Sequence, residues 1–337
     1  MSKTVLLTGV SGYIGLHCAQ QLLNAGYIVR GSVRDKAKSK VVIEVLAVAG
    51  TDTKNLSIVV LDLTDDEGWE AAATDCDYVM HVASPFVIAN PKSEDEMIYP
   101  AVEGTLRMLR ASKKAGVQRV VLTSSMVSMM GGMKTCTVGP DDWTDINAPD
   151  VSVYTKSKTL AEKAAWDFMA KHSGEGGMEM VSINPGGVFG PPLGKDFTGQ
   201  SMSIVDQMLR GKMPMLPSVA IPMVDVQDVA MLHVQALDNP AVAGKRLIAA
   251  STEPYAFKDV AQMLKEAGYK GPSTRIAPDF MLRIMALFDC EAKGMLGFLG
   301  MNISADNSQI RDLLNWTPRP LKQAVLDSAR AIKAISG

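Results

Sequence analysis

The chain has almost no net charge to offer a partner: 34 Lys and Arg stand against 36 Asp and Glu, leaving −2 over 337 residues. That balance excludes the basic field that nucleic acid requires, and no polybasic segment is present to hold a membrane surface. Cysteine is also scarce, and Cys18, Cys76, Cys136 and Cys290 are widely scattered without a C-x-x-C pair. Neither a zinc site nor a disulfide framework is expected, only buried or incidental thiols in a reducing cytosol. No uninterrupted apolar run reaches the roughly 18 residues of a membrane span. Met1-Ser2-Lys3 leads into a short apolar segment broken by Thr8 and Gly9, which lacks the length and cleavage site of a signal peptide. Internal repeats and low-complexity linkers are missing as well. These absences leave a metal-free cytoplasmic protein with a small-molecule partner, either a monomer or a homodimer.

What is present alternates. Val5 to Thr8, Ile28 to Val33, Ser57 to Leu61, Tyr78 to Val82, Arg119 to Thr123 and Met180 to Ile183 are short, β-rich apolar runs. Between them lie helical patterns at Ile14 to Ala25, Lys38 to Ala49, Pro100 to Ala115 and Thr155 to His172. Such alternation implies right-handed crossovers and a parallel sheet covered on both faces, the doubly wound α/β plan. After Pro185 the pattern loosens into a Gly-, Pro- and Met-rich stretch from Gly186 to Pro222. A helix over Val224 to Leu237 and a strand over Arg246 to Ala250 follow, and Ala256 to Gly337 reads mainly as helices. The expected organisation is a dinucleotide-binding domain over 1–185, with about 222–250 returning to the sheet, and a smaller, mostly helical substrate lobe over 186–337.

Directly after the first strand stands Thr8-Gly9-Val10-Ser11-Gly12-Tyr13-Ile14-Gly15, a T-G-x-x-G-x-x-G pattern that opens a helix. Gly9 permits the tight turn, Gly12 lets a pyrophosphate reach the backbone, and Gly15 lets helix pack on strand. Amides of Ser11 to Gly15 at the helix N-terminus then face phosphate oxygens. An NAD-selective site puts an acid at the end of the second strand, about 20 residues beyond the glycines. Here Val33 takes that place and Arg34 follows, with Lys38 four residues on. Two cations suit the 2′-phosphate of NADP(H), unless they are solvated surface charges, with Asp35 neutralising Arg34. After the third strand, Asp62-Leu63 either receives the adenine or leaves Asp62 to cap the next helix. His81-Val82-Ala83-Ser84-Pro85 ends the fourth strand; Val82, Ala83 and Ser84 are small enough for a backbone running beside the nicotinamide ribose, and His81 is read as a packed core residue.

Thr123-Ser124-Ser125 ends the fifth strand at the carboxyl edge, where open α/β sheets bind ligands. A serine hydroxyl there is either a donor to a substrate oxygen or a turn residue. Tyr154 and Lys158 lie four apart, on one face of a helix. By itself this spacing often means a solvated pair. Beside a site, the fixed cation lowers a phenol pKa of about 10 and lets Tyr154 exchange a proton with a carbonyl or alcohol. Glycine turn, strand-end serine and Tyr-Lys pair in this order make coincidence a poor explanation.

With these motifs the chain resembles the extended short-chain dehydrogenase/reductases, specifically the branch of dihydroflavonol, cinnamoyl-CoA and methylglyoxal/ketone reductases. The resemblance covers nearly the whole chain. Its narrow marks are residues 26–35 (GYIVRGSVRD), 81–85 (HVASP), 154–166 (YTKSKTLAEKAAW) and 184–191 (NPGGVFGP). It implies an NAD(P)-binding Rossmann fold with Ser125 as catalytic serine, Tyr154 as general acid/base, and Lys158 as both ribose ligand and tuner of Tyr154. It also implies 2′-phosphate binding by Arg34 and Lys38, adenine contacts from Asp62 and Leu63, carboxamide contacts from Pro185, Gly186, Gly187 and Val188, and a pyrophosphate contact from Ser201. The N-W-Y-C-Y stretch of cinnamoyl-CoA reductases is replaced by Ser152-Val153-Tyr154, which argues against a CoA thioester. Met126, Met129, Met130, Met133, Met202, Met208, Met213, Met215 and Met223 cluster near the expected site, either as core filler or as a deformable apolar wall. The leading expectation is NADPH-dependent reduction of a hydrophobic aldehyde or ketone. A sugar-nucleotide epimerase or dehydratase, disfavoured by Val33-Arg34, and a non-catalytic NADP-sensing regulator, disfavoured by Tyr154 and Lys158, are the alternatives.

Overall fold

Seven short runs of β-branched and apolar residues form one sheet, in the spatial order Arg246–Ala249, Glu179–Pro185, Arg119–Thr123, Tyr78–His81, Thr4–Thr8, Ile28–Val33, Leu56–Val60. All pairings are parallel. The computed structural model describes residues 2–85, 93–173, 177–195 and 200–336, the side chains of 200, 290–292 and 336 excepted. Because successive strand residues face opposite ways, the first strand splits its burial. Val5 and Leu7 join Leu22, Val29 and Leu46 in one layer, and Leu6 joins Met108, Leu109 and Ala165 in the other. Helices Tyr13–Asn24, Lys38–Val48 and Val226–Gln235 cover the first face; Trp69–Ala73, Asp95–Lys114 and Val153–Lys171 cover the second. The order reverses between Thr4–Thr8 and Tyr78–His81, which opens a crevice at the strands' carboxyl ends.

Beyond Pro185 two expectations need correction. The helix expected over Val224 to Leu237 is a strand, Met223–Asp225, followed by a helix, Val226–Gln235. Met223 to Asp225 pair in parallel with Gly187–Phe189, and the Asp225 carboxylate accepts the Gln227 N–H at 2.7 Å, which starts the helix there. The expected mainly helical tail contains helices Phe257–Glu266, Asp279–Met285, Cys290–Met295, Ser308–Leu314 and Leu321–Ser336. It also supplies Tyr255–Ala256 and Asn302–Ala305 to a four-stranded sheet with Ala220–Ile221 and Thr135–Val138. A segment from inside 1–185 is thereby stitched to one near residue 302.

Met202, Val205 and Met208 pack with Phe257, Val260, Leu321 and Val325 as the core of this second layer. Cys18 and Cys76 are buried free thiols and Cys136 is half-buried; the Cys290 side chain lies outside the described residues. Among the described residues no helix is long and apolar enough to cross a membrane, and no group of three acids, histidines or cysteines is placed to hold a metal.

A very close backbone approach lies at the first turn. A Cβ on Gly15 would stand 2.1 Å from the Gly9 carbonyl oxygen, whereas one on Gly12 would stand 3.3 Å from it. Alanine favours a helix by up to about 1 kcal/mol over glycine, but a rigid backbone collision outweighs that gain. Gly15→Ala is expected to lower unfolding free energy by about 1–3 kcal/mol, and Gly12→Ala by clearly less, both read by urea denaturation.

Candidate active site

Helix Tyr13–Asn24 starts at Gly12 with no side chain bonded to its cap and no acid in its first turn. Its leading amides are orphan donors beside exposed glycine backbone, a cradle that fits a pyrophosphate. Ser11 is half-buried beside this turn and Ile14 packs into the core below it. The Tyr13 side chain has another use: its hydroxyl donates to the Gly190 carbonyl at 2.8 Å, while Ser328 accepts the Gly190 N–H at 2.8 Å. Ala83 lies under Gly9, whose Cβ would come 2.8 Å from the Ala83 Cα, and its N–H donates to Thr8 Oγ1 at 3.1 Å. Val82 to Ser84 are thus brought against the glycine turn. His81, 2.9 Å from Thr8 Oγ1, is a neutral core side chain; burial, with the Lys158 charge adding, pushes its imidazole down to about 3.

Arg34 and Lys38 are exposed at the end of the second strand and the start of helix Lys38–Val48. Asp35 aims its carboxylate at the Ala37 N–H (2.8 Å), which starts the turn into that helix. Asp62 caps no helix, since Trp69–Ala73 begins at Gly68. Instead it accepts the Thr64 N–H and hydroxyl at 2.8 and 2.7 Å, and these bonds, helped by the nearby Arg34, hold its carboxyl below its ordinary range. Leu63 lies over Gly104 of helix Asp95–Lys114. Arg34 and Asp62 therefore face one corner of the crevice.

At the other end, Ser152 caps helix Val153–Lys171 by accepting the Thr155 N–H at 3.2 Å, which fixes Tyr154 in the first turn. The Tyr154 hydroxyl is hydrogen-bonded to Ser125. Burial pushes the phenol up to about 12, and the Ser125 bond opposes it. One turn on, burial draws the Lys158 amine down to about 8, and the Glu162 carboxylate opposes that fall. Burial is the larger influence on Tyr154, ahead of its Ser125 bond. Its ring packs against the cluster of Met126, Met129 and Met130, so loss of water is the larger effect.

The group that ties this site together has no role in the reading from sequence. Glu162, buried a turn beyond Lys158, receives Ser124 Oγ at 2.5 Å, Asn184 Nδ2 at 2.8 Å, Ser182 Oγ at 3.1 Å, Trp166 Nε1 at 3.3 Å and the Ser128 hydroxyl. Arg246 Nε closes a buried ion pair with it at 2.7 Å. The guanidinium stacks 3.6 Å above the Trp143 ring and donates to the Pro140 and Asp142 carbonyls at 2.6 and 2.7 Å. Ser128 Oγ and Asn184 Nδ2 also reach the Ser125 carbonyl, at 2.8 and 3.3 Å. The signal in the sequence was the spacing: Tyr154, Lys158 and Glu162 occupy successive turns of one helical face.

Pro185 to Val188 cross the same edge. The Pro185 carbonyl accepts the Met126 N–H at 2.9 Å, and Gly186 lies so close to Pro222 that a Cβ would stand 2.3 Å from its carbonyl oxygen. Ser201 sits in the first turn of Gln200–Leu209, whose buried face joins the cluster that Tyr13 touches. The methionine wall is mostly core: Met126, Met129, Met130, Met202, Met208 and Met223 are buried, and Met133, Met213 and Met215 are half-buried. Beside the Tyr154 helix a small apolar cavity is lined by Val127, Met130, Val151, Phe298 and Met301.

The profile of the NAD dependent epimerase/dehydratase family matches residues 5–249. The chain is 32% identical to the ketoreductase azaE of Aspergillus niger over 98% of both chains. It is also 32% identical to the cinnamoyl-CoA reductase CAD2 of Medicago truncatula, covering 79% of this chain and 81% of that one. Among solved structures, the yeast methylglyoxal/isovaleraldehyde reductase Gre2 complexed with NADPH superposes with a TM-score of 0.81, at 26% identity and 99% coverage of both chains.

Three interior histidines give the molecule an acid limit. Burial pulls His17 and His233 down to about 4 and His81 to about 3, from an ordinary 6.5. The unfolded chain therefore binds these protons first, so stability is full above about pH 6.5 and falls as pH drops below it. The expected slope reaches about 1.4 kcal/mol per pH unit for each histidine. Urea unfolding between pH 7 and 4 measures it, and His233→Gln should flatten the slope even if it lowers the plateau.

Proposed function

We propose that this chain, which belongs to the NAD dependent epimerase/dehydratase family of extended short-chain dehydrogenase/reductases, is an NADPH-dependent reductase that converts a hydrophobic aldehyde or ketone to its alcohol. The observation that carries the reading is the Tyr154 hydroxyl bonded to Ser125 at the carboxyl edge of the sheet, with Lys158 one turn away. The uncapped helix start at Gly12, the exposed Arg34 and Lys38, and the NADPH in the yeast relative support this cofactor. Gly9, Ser11, Gly12 and Gly15 hold the pyrophosphate, together with the Tyr13 and Ile14 amides and Ser201. Asp62 and Leu63 hold the adenine, and Val82 to Ser84 with Pro185 to Val188 hold the nicotinamide side. Residues 1–185, with 222–250 returned to the sheet, are the cofactor part, and 186–337 close the substrate side.

Bound in this crevice, NADPH supplies the hydride; the chain's own groups manage the proton. Ser125 and Tyr154 donate to the carbonyl oxygen of the substrate, which polarises it and orients the reacting carbon. As charge develops on that oxygen, the Tyr154 hydroxyl gives up its proton. A charged Lys158 stabilises the phenolate that remains and favours reprotonation from solvent.

Tyr154→Phe is expected to reduce kcat by ~10² to 10⁴ while NADPH binding, followed by fluorescence titration, stays nearly unchanged. Retained turnover would remove Tyr154 from the role. A panel of aliphatic, aryl and α-dicarbonyl substrates should give carbonyl-dependent loss of NADPH absorbance and chiral alcohols. NADPH should exceed NADH in kcat/KM, and Arg34→Ala should narrow the gap; equal efficiency with both cofactors in the parent would refute the 2′-phosphate assignment.

A further inference from the structure

Glu162 is an expensive group to bury: a carboxylate without water, held by donors from two strands, the Ser125 loop, its own helix and the Arg246 guanidinium. A purely architectural ion pair needs no particular neighbours. This one shares its donors with the catalytic loop, since the Ser128 hydroxyl and the Asn184 amide that contact Glu162 also contact the Ser125 carbonyl. It also stands one helical turn from Lys158, on the side opposite Tyr154 along the same face. We propose that Glu162 is a positioning residue of this site: it fixes the loop that carries Ser125, and its charge keeps the Lys158 amine protonated.

The charged and titratable groups around Lys158 make the assignment specific. On its own helix they are Tyr154 before it and Glu162 after it; from strand Tyr78–His81 the buried His81 faces it. Arg246 meets Glu162 from strand Arg246–Ala249, drawn toward Trp143 and the Pro140 and Asp142 carbonyls. Of these, Glu162 is the one that acts on the Lys158 amine against burial. Without that carboxylate the ammonium loses its favourable neighbour, so the amine gives up its proton at lower pH.

The proposal rests on the reductase reading for the meaning of the site, but its test does not require turnover. Competitive labelling with trace acetic anhydride, read by mass spectrometry against a free amine standard, gives the titration midpoint of Lys158. In Glu162→Gln the midpoint is expected to fall by about one pH unit or more. A midpoint equal to the parent's would overturn the proposal, because a merely architectural carboxylate would lower the melting temperature without moving it. Since Glu162→Gln leaves Arg246 unpaired in the interior, the double variant Glu162→Gln/Arg246→Met, which removes both charges, is measured alongside and should show a smaller fall in the same direction, because the Arg246 cation that also opposes the ammonium is gone. In the reduction assay the alkaline limb of kcat should move down with the labelling midpoint, NADPH affinity staying within about twofold. If the parent oxidises NADPH with no carbonyl at all, the function reading fails, while the Lys158 midpoints still decide the role of Glu162.

Discussion

A carboxylate sealed from water dictates its own surroundings, and in this molecule the surroundings of Glu162 are the site. The penalty for burying such a charge is several kcal/mol even after relaxation, so each oxygen must find strong donors. Those donors come from the end of the fifth strand, the loop behind Ser125, the strand Glu179–Pro185 and the strand Arg246–Ala249. Satisfying one acid therefore locks three neighbouring strand ends and the helix of Tyr154 into one arrangement. The preorganisation that the proposed proton donor Tyr154 would need follows from that electrostatic demand.

The two halves of the crevice follow different physics. The cofactor half is bare backbone: close approach at Gly15, a left-handed Gly9 with φ of 70° and an uncapped helix start leave amides as the recognition surface. The proposed chemical half is built from side chains that burial pushes in opposite directions, the Tyr154 phenol up and the Lys158 amine down. The Tyr13 hydroxyl ties the glycine turn to Gly190, beside the C-terminal helix that carries Ser328.

Much of this was legible in the residues because it is local. The glycine turn, the strand-helix alternation and the Tyr154-Lys158 spacing depend on neighbours in sequence, and the sheet reproduces the strands to within a residue or two. What was illegible is tertiary. Glu162 four residues after a lysine reads as a surface pair until the fold shows its burial. The strand Met223–Asp225 exists because Gly187–Phe189 lies beside it, and strands as short as Ala220–Ile221 carry no period at all. Between the two readings of the methionines the fold favours core: Met126, Met129 and Met130 repeat with helical spacing, which marks a buried face.

The pairing of Glu162 with Arg246 also has a meaning in time. A ribosome delivers Glu162 well before Arg246, and Thr135–Val138 long before its partner Asn302–Ala305. The strands made before residue 246 therefore emerge without the Arg246 guanidinium, and Thr135–Val138 without its mate. The Glu162–Arg246 pair and the sheet that joins Thr135–Val138 to Asn302–Ala305 can close only once the C-terminal third of the polypeptide has been made.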